Sequence, residues 1–484
     1  MEPRFTSFPF LQAHHYTGKL FSVAGKAWPV SIAAQMVRAN IIIRELKLAK
    51  LLERDKKIAI VGGGAAGMAA AEAAARLHCK VTLIHNGKDR ADLFSRLSGI
   101  ESRYVYPWLY DWPAAHWSKT IFPRPPRDGE VGKRLYTLSW SAGMASAVRD
   151  SIVTGFMSAT RARKDPLRVE IVLGLVGTDN ATIEQLERGI VRYITPEGRA
   201  EEERADVVLL ATGPGEERVR CHSSSPFAGP GFWSNDVLGD DALFSGPRKV
   251  RLLIVGGGDG ALQDYVRVVT GQNDVARLAG LVLNGGSQAC RDAAYHIYQV
   301  EDELLRRYLT CTDSCDTHRR AHGELEKIIA KLYANDADLQ SRLAKGVRPD
   351  LRARFDKLHL AFPCDHFSFR YPMNAFVSLL FHHHLLAAHG FETFLPRHGV
   401  HPSKDAIVAQ DHACDGTCYL RTHKVKLEPK GCRKEERALA TGMSATEELE
   451  YDVLVLRIGV SDDHAPPVFP RPRQLLPYDL VPST

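Results

Sequence analysis

Residues 56–87, KKIAIVGGGAAGMAAAEAAARLHCKVTLIHNG, restrict the fold more than any other stretch of the chain. Ile58–Val61 is a short apolar run of strand type. It is followed by Gly62, Gly64 and Gly67 in G-x-G-x-x-G spacing, an alanine-rich helical stretch opened by Ala65 and Ala66, and a second apolar run, Val81–Ile84. Strand, loop, helix and strand within about 30 residues make a βαβ unit. Each glycine has its own task there. Gly62 allows the tight turn, Gly64 lets backbone amides approach a pyrophosphate, and Gly67 lets helix and strand pack closely. The phosphates would rest on the positive end of the helix dipole.

The chain states the same pattern a second time. Residues 248–269, RKVRLLIVGGGDGALQDYVRVV, repeat the strand as Leu252–Val255 and the loop as Gly256, Gly258 and Ala261, with Asp259 and Gly260 inside it. The strand after this loop is expected at Leu278–Leu283. ADVVLLATGPG (205–215) follows a hairpin-like GIVRYITPEGRAEEER, and YDVLVLRIGV (451–460) follows another candidate hairpin starting at HKVKLEPKGC. Each half therefore reads as glycine loop, later β-ribbon, then a buried strand. The fold class expected is α/β, with two Rossmann-like dinucleotide-binding units and a mostly helical insertion in the second.

The expected organisation is an N-terminal arm and amphipathic helix (1–55), a first nucleotide-binding domain (56–245), a second one (246–460) with a helical insertion at about 290–410, and a Pro-rich tail (461–484). Ile32, Met36, Ala39, Ile43 and Leu46 share one face of the arm's helix. A chain of 484 residues has room for these parts. The excess of 63 Lys+Arg over 57 Asp+Glu is too small for a dedicated nucleic-acid binder. No apolar run reaches the ~18 residues of a spanning helix, and MEPRFTSF lacks the pattern of a secretory signal. Nine scattered cysteines do not suggest a disulfide framework. The expectation is a cytoplasmic protein with a small-molecule substrate, no nucleic-acid or membrane partner, and self-association left open.

With VGGGAAG, ATGPG and VGGGDGALQD in that order, the sequence resembles the flavoproteins with two dinucleotide-binding domains, the pyridine-nucleotide-dependent oxidoreductases. The resemblance implies FAD in the first unit and NAD or NADP in the second, with hydride passing from nicotinamide to flavin and on to an organic substrate or oxygen. By position it implies that Gly62, Gly64, Ala65, Ala66, Gly67, Thr212 and Gly213 hold the flavin nucleotide. Gly256, Gly258, Asp259, Gly260 and Ala261 would hold the nicotinamide nucleotide. Three positions depart from the pattern. His85 stands where an acid should meet the adenosine ribose. Asn284 stands at the matching place expected in the second unit, with Arg291 nearby as a weak candidate for a 2′-phosphate. No Gly-Asp turn follows Gly459. A flavin oxidase that makes no use of nicotinamide, or a nucleotide-sensing protein without catalysis, are the alternatives.

Other chemistry is less clearly written. The aromatic, proline-rich stretch 103–126 could wall a planar ligand, with Arg103 and Tyr106 as the first candidates for polar contacts; a proline-stiffened packing loop is the alternative. Cys311/Cys315 and Cys414/Cys418 are spaced C-x3-C, unlike a common redox pair. His412, Cys414, Cys418, His423 and Cys432 have zinc-type side chains in no standard spacing, so no metal is expected. His382, His383 and His384 are consecutive on a predicted helix and point in different directions. No G-x-S-x-G elbow, Walker loop or H-E-x-x-H motif supports a hydrolase or kinase.

Overall fold

The computed structural model describes residues 8–23, 31–89, 92–105, 138, 140–161, 168–177, 180–213, 215, 217, 219, 231–236, 238, 248–310, 314–367, 372–396, 398–402, 423–429 and 447–457. The chain divides into two compact units at Glu216/Glu217.

In the first unit, α1 (Pro9–His14), β1 (His15–Thr17), β2 (Leu20–Ser22) and α2 (Ile32–Leu48) precede the glycine-loop strand. Then come β3 (Lys57–Val61), α3 (Ala65–Arg76), β4 (Lys80–His85), the short pair β5 (Tyr104–Val105) and β6 (Gly143–Met144), and α4 (Ala145–Thr160). The unit continues with β7 (Val169–Leu173), β8 (Leu175–Val176), α5 (Asn180–Glu187), β9 (Ile190–Ile194), β10 (Ala200–Arg204) and β11 (Val207–Leu210). Six strands form the main sheet in the order β1-β2-β11-β3-β4-β7, and all but β1 run parallel. Strands covered on both faces are uniformly apolar, as β11 and the Ile58–Val61 part of β3 are. The expected hairpin is present as β9–β10, with β8 added to it.

The N-terminal arm is part of this sheet. β2 pairs in parallel with β11, Leu20 opposite Val208, and the Val23 N–H donates to Leu210 O. α2 buries Met36, Ala39, Ile43 and Leu46 of the expected face and leaves Ile32 half-buried, but Val37, Arg38, Ile41 and Ile42 are buried as well, so the helix is enclosed on more than the one face its periodicity predicts; it packs on α3. α1 is tied to α2 where the Leu11 N–H donates to the Glu45 carboxylate at 2.7 Å. Burial pushes the Glu45 carboxyl up to about 7, against the pull of the Leu11 N–H and Arg44. A carboxyl raised in the folded state binds its proton more tightly there than in the unfolded chain. Its contribution to stability is therefore complete below about pH 4.5 and is lost as pH rises to about 7. Glu45→Gln keeps an acceptor for Leu11 and removes the charge. We expect it to match wild type near pH 4.5 and to exceed it at pH 8 by on the order of 1–2 kcal/mol, after allowing for partial exposure. Urea titrations at the two pH values check this. Comparing variant with wild type cancels the opposite slope from buried His14, whose imidazole burial pushes down to about 3.

The second unit opens with β12 (Val250–Val255) and α6 (Asp259–Thr270) and then departs from expectation. Val275–Leu283 is a helix, α7, and not the strand expected at Leu278–Leu283. The Asp274 carboxylate caps it through the Arg277 N–H, and Val275, Leu278, Ala279 and Val282 bury one helical face. The helices α8 (Gln288–Thr310), α9 (Ser314–Asn335), α10 (Leu339–Gly346) and α11 (Leu351–Arg354) follow. The partner strand is β13 (Phe355–Phe362), which pairs in parallel with β12. The stretch at about 290–410 thus contains an inner strand of the sheet as well as helices. After α12 (Pro372–His389), β14 (Phe394–Pro396), β15 (His398–Pro402), β16 (His423–Pro429), β17 (Glu447–Tyr451) and β18 (Val453–Leu456), the sheet reads β14-β13-β12-β18, all parallel. β15, β16 and β17 form the antiparallel ribbon.

The two units share a detail where the chain passes from the ribbon into the next sheet strand. The Asp206 carboxylate, just before β11, accepts the N–H of Lys57 at the start of β3 at 2.9 Å. Asp452, just before β18, accepts the N–H of Arg251 in β12 at the same distance. Each acid pins the register of two parallel strands.

Candidate functional site

In a parallel sheet, ligands bind at the carboxyl ends of the strands. The first unit brings most of its predicted residues there. Val61 and Ile84 are register partners, as are Val61 and Leu210, so Gly62, His85 and Ala211–Gly213 leave the sheet side by side. Gly62 has φ +118°, a conformation open to glycine, and a side chain on it would run into the Ala211 carbonyl. A Cβ on Gly67 would overlap Gly62 O, so the first turn of α3 lies directly on the loop it follows. Gly64 is the N-cap of α3, no side chain caps that end, and nothing lies within 4 Å of where its Cβ would be. The amides of Ala65, Ala66 and Gly67 are thus the unclaimed donors of a helix N-terminus with open space in front. Thr212 and Gly213 are exposed beside the loop.

His85 is buried at the end of β4 and stays neutral, because burial lowers its imidazole more than Asp92 and Asp89 raise it. These features fit a dinucleotide. An uncapped helix end offers backbone amides to phosphate beside open space at Gly64, and a buried polar group stands at the ribose position. The turn sought after Gly459 lies outside the described residues. The place beside β11 is filled instead by β2, whose last residues Ser22 and Val23 reach this same edge of the sheet.

The second unit repeats the arrangement with different contents. Gly256 follows β12 with φ +141°, and Gly258 is the N-cap of α6, again without a side-chain cap. Asp259 begins the helix, and its carboxylate accepts from the Asn374 amide of α12 at 2.7 Å. Gly260 and Ala261 lie in the first turn, Ala261 fully buried. The contrast lies at the third strand. Arg457 occupies the place of Ala211: its N–H donates to Val255 O as that of Ala211 donates to Val61 O. Its guanidinium turns into the unit and donates to Asp264 at 2.7 Å. Arg267 donates to Asp264 at 2.9 Å and to Asp236 at 2.8 Å, and the Arg457–Asp236 distance is 3.7 Å. All four side chains are at most 4% exposed. Two cations and two anions thus form a closed, neutral quartet under the second glycine loop. Phe232 packs against Gly260, with the Arg457 guanidinium 5.9 Å from its ring centre.

Asn284 and Arg291 are not at a strand end. Asn284 ends α7, and Arg291, in α8, donates to Gly286 O and to the Gln288 side chain. The position they were expected to hold is that of Phe362, at the end of β13. Arg103 is buried, with its carbonyl accepting the Ala145 N–H. Tyr104 is half-buried in β5. Tyr106 and residues 107–126 of the aromatic stretch lie outside the described residues, as do the side chains of Cys311, Cys315, Cys414, Cys418, Cys432, His412 and His423, and the tail 461–484. His382 bonds Thr393, His383 bonds Glu326, and His384 is buried separately, so the three diverge. Cys79 and Cys290 are free and buried, and Cys364 is disulfide-bonded. Among the described residues no group of His, Cys, Asp and Glu could hold a metal, and no helix is long and apolar enough to cross a membrane. The Arg457–Asp264–Arg267–Asp236 quartet was not foreseen.

Residues 24–100 match a family model described as pyridine nucleotide-disulphide oxidoreductase. No curated protein matches the sequence. Solved structures similar to this chain include thioredoxin reductase from Lactococcus lactis, at 12% identity over 84% of this chain and 77% of that one, with a TM-score of 0.34. Lysine monooxygenase NbtG from Nocardia farcinica shows 14% identity over 88% and 83%, with a TM-score of 0.33. Bacillithiol disulfide reductase Bdr from Staphylococcus aureus shows 10% over 85% and 78%, with a TM-score of 0.35.

Proposed function

We propose that this chain, which resembles the pyridine nucleotide-disulphide oxidoreductases over residues 24–100, is an FAD-dependent, NAD(P)H-linked oxidoreductase. The observation that carries the reading is the repetition itself. Two parallel sheets each present a glycine loop and an uncapped helix N-terminus at their carboxyl edge. In this reading the Gly62–Gly67 loop, His85, Thr212 and Gly213 hold the flavin nucleotide, and Gly256–Ala261 hold the nicotinamide nucleotide. The bound cofactors supply hydride transfer, which ends on an organic substrate, as in a reductase, or on oxygen, as in a monooxygenase. The protein's own residues bind the phosphates through backbone amides and set the orientation of the two nucleotides.

One observation favours a second reading, a flavin oxidase whose second unit is scaffold. Arg457 stands where the first unit has the small Ala211, and Phe232 packs against Gly260 of the second glycine loop. A visible absorption spectrum of the purified protein, before and after anaerobic NADPH or NADH, separates the readings. Flavin bands that bleach are expected. Bands that persist favour the oxidase, and a protein still colourless after incubation with FAD overturns both and favours a nucleotide sensor.

A further inference from the structure

Asp259 stands in the second unit where Ala65 stands in the first: each is the first residue of its helix, directly after a glycine N-cap. The difference is one of charge. A carboxylate in the first turn of a helix is drawn to the exposed N–H groups and to the positive end of the dipole, which is the place proposed for the nucleotide's phosphates. The chain thus carries an anion of its own beside its second anion site. Arg457, under the same loop, does not offset it, because Asp264 already neutralises that guanidinium within the quartet. The carboxylate is gripped by Asn374, in the first turn of α12, which packs on α6. Asn374 Nδ2 donates to Asp259 Oδ1 at 2.7 Å, and this fixes the amide's orientation, since a flipped amide would set oxygen against oxygen. Asn374 is 0% exposed, and in this orientation its Oδ1 is buried with no hydrogen-bond partner. Ser378, one turn further along the same face, is also fully buried with its Oγ unpartnered. An unpaired buried acceptor is costly, and an apolar side chain at 374 would avoid that cost. Packing therefore does not account for the asparagine; its grip on Asp259 does.

We infer that Asn374 is a positioning residue of the second nucleotide site: by taking the Asp259 carboxylate it holds that charge off the glycine loop and leaves the helix end to the phosphates of the ligand. The first unit, with Ala65 at the matching position, needs no such device. The inference rests on the reading of the second glycine loop as a nucleotide site, and it adds what keeps that site open to an anion.

The test is isothermal titration of the full chain, incubated with excess FAD, with ADP. Released from Asn374, the carboxylate competes with phosphate for the helix end. Asn374→Leu is therefore expected to weaken ADP about tenfold, the effect of one carboxylate at a partly buried helix terminus. The deficit should shrink at high ionic strength. Adding Asp259→Asn to Asn374→Leu should restore ADP binding, because it removes the competing charge and leaves any packing defect in place. A merely structural role for Asn374 gives a loss that neither salt nor the second substitution recovers. Asn374→Ala, alone and with Asp259→Asn, serves if the leucine variant does not fold. An ADP affinity unchanged by loss of the amide, or a loss that Asp259→Asn does not restore, overturns the inference and leaves the reading of the loop standing. Absence of ADP binding by the FAD-treated wild type overturns that reading, and the inference with it.

Discussion

Gly67→Ala is expected to abolish nucleotide binding at the first unit and to destabilise the chain by about 3 kcal/mol or more. The added methyl would be driven into the carbonyl oxygen of Gly62, which is backbone and cannot swing aside as a side-chain end could. Gly62 cannot retreat either, because its N–H donates to Ile84 O at 2.8 Å and its own φ of +118° leaves little room to adjust. Relief requires α3 to lift off the sheet, which opens the alanine-packed seam of Met68, Ala69, Ala70, Ala71 and Ala74, all fully buried. Lifting the helix also moves the Ala65 and Ala66 amides away from the place proposed for the phosphates. Thermal unfolding and ADP titration of the variant read the two effects. The control is Gly64→Ala, where the methyl meets open space. Its fold should survive, and binding should fall only because the methyl blocks the pyrophosphate. Equal stability of Gly67→Ala and wild type would contradict the close helix–loop contact.

Asp264→Ala should be the most damaging substitution in the second unit, at about 3–5 kcal/mol. Asp264 bonds both Arg457 and Arg267, so its loss leaves two buried guanidiniums facing the single carboxylate of Asp236. An uncompensated buried charge is what makes breaking such a cluster costly, and exposed pairs such as Arg199–Glu197 carry no comparable cost. Restoring neutrality tests the cause. Asp264→Ala combined with Arg457→Ala removes one charge of each sign, and should recover part of the loss while leaving a cavity. Urea unfolding of the single and double variants measures the recovery. A double variant as unstable as the sum of its parts would show that packing, not charge, holds the quartet.

The first βαβ unit was legible because its signals are local. The run Ile58–Val61, the glycine spacing and the alanine helix lie within one short window. The second partner strand was not. Leu278–Leu283 is six apolar or small residues long, and such a run does not separate strand from buried helix. The deciding signals were Asp274 as an N-cap and the buried spacing Val275, Leu278, Ala279, Val282. The true partner, β13, carries Asp356 and Lys357 directly after its first residue, and about 100 residues of mostly helical chain lie between it and β12. The error carried Asn284 and Arg291 with it, since both were placed by counting from the wrong strand. The quartet was illegible for another reason. Asp236, Asp264, Arg267 and Arg457 are brought together only by the finished sheet. His85 was visible as a departure from an acid, but that its Nε2 is buried without a partner appears only once Gly87 is seen to occupy Nδ1.

The position of β2 has a consequence for how the molecule is made. Every described strand of the first sheet lies between His15 and Leu210, and the strand beside β11 is supplied from upstream of the glycine loop. A sheet whose edge strand came from the far end of the chain would wait, open on one side, until synthesis ended. Here the last strand to emerge, β11, enters between β2 and β3, both already translated. The sheet can therefore close on the ribosome before any strand of the second unit exists, in keeping with the tendency of domains to fold as units in the order they emerge.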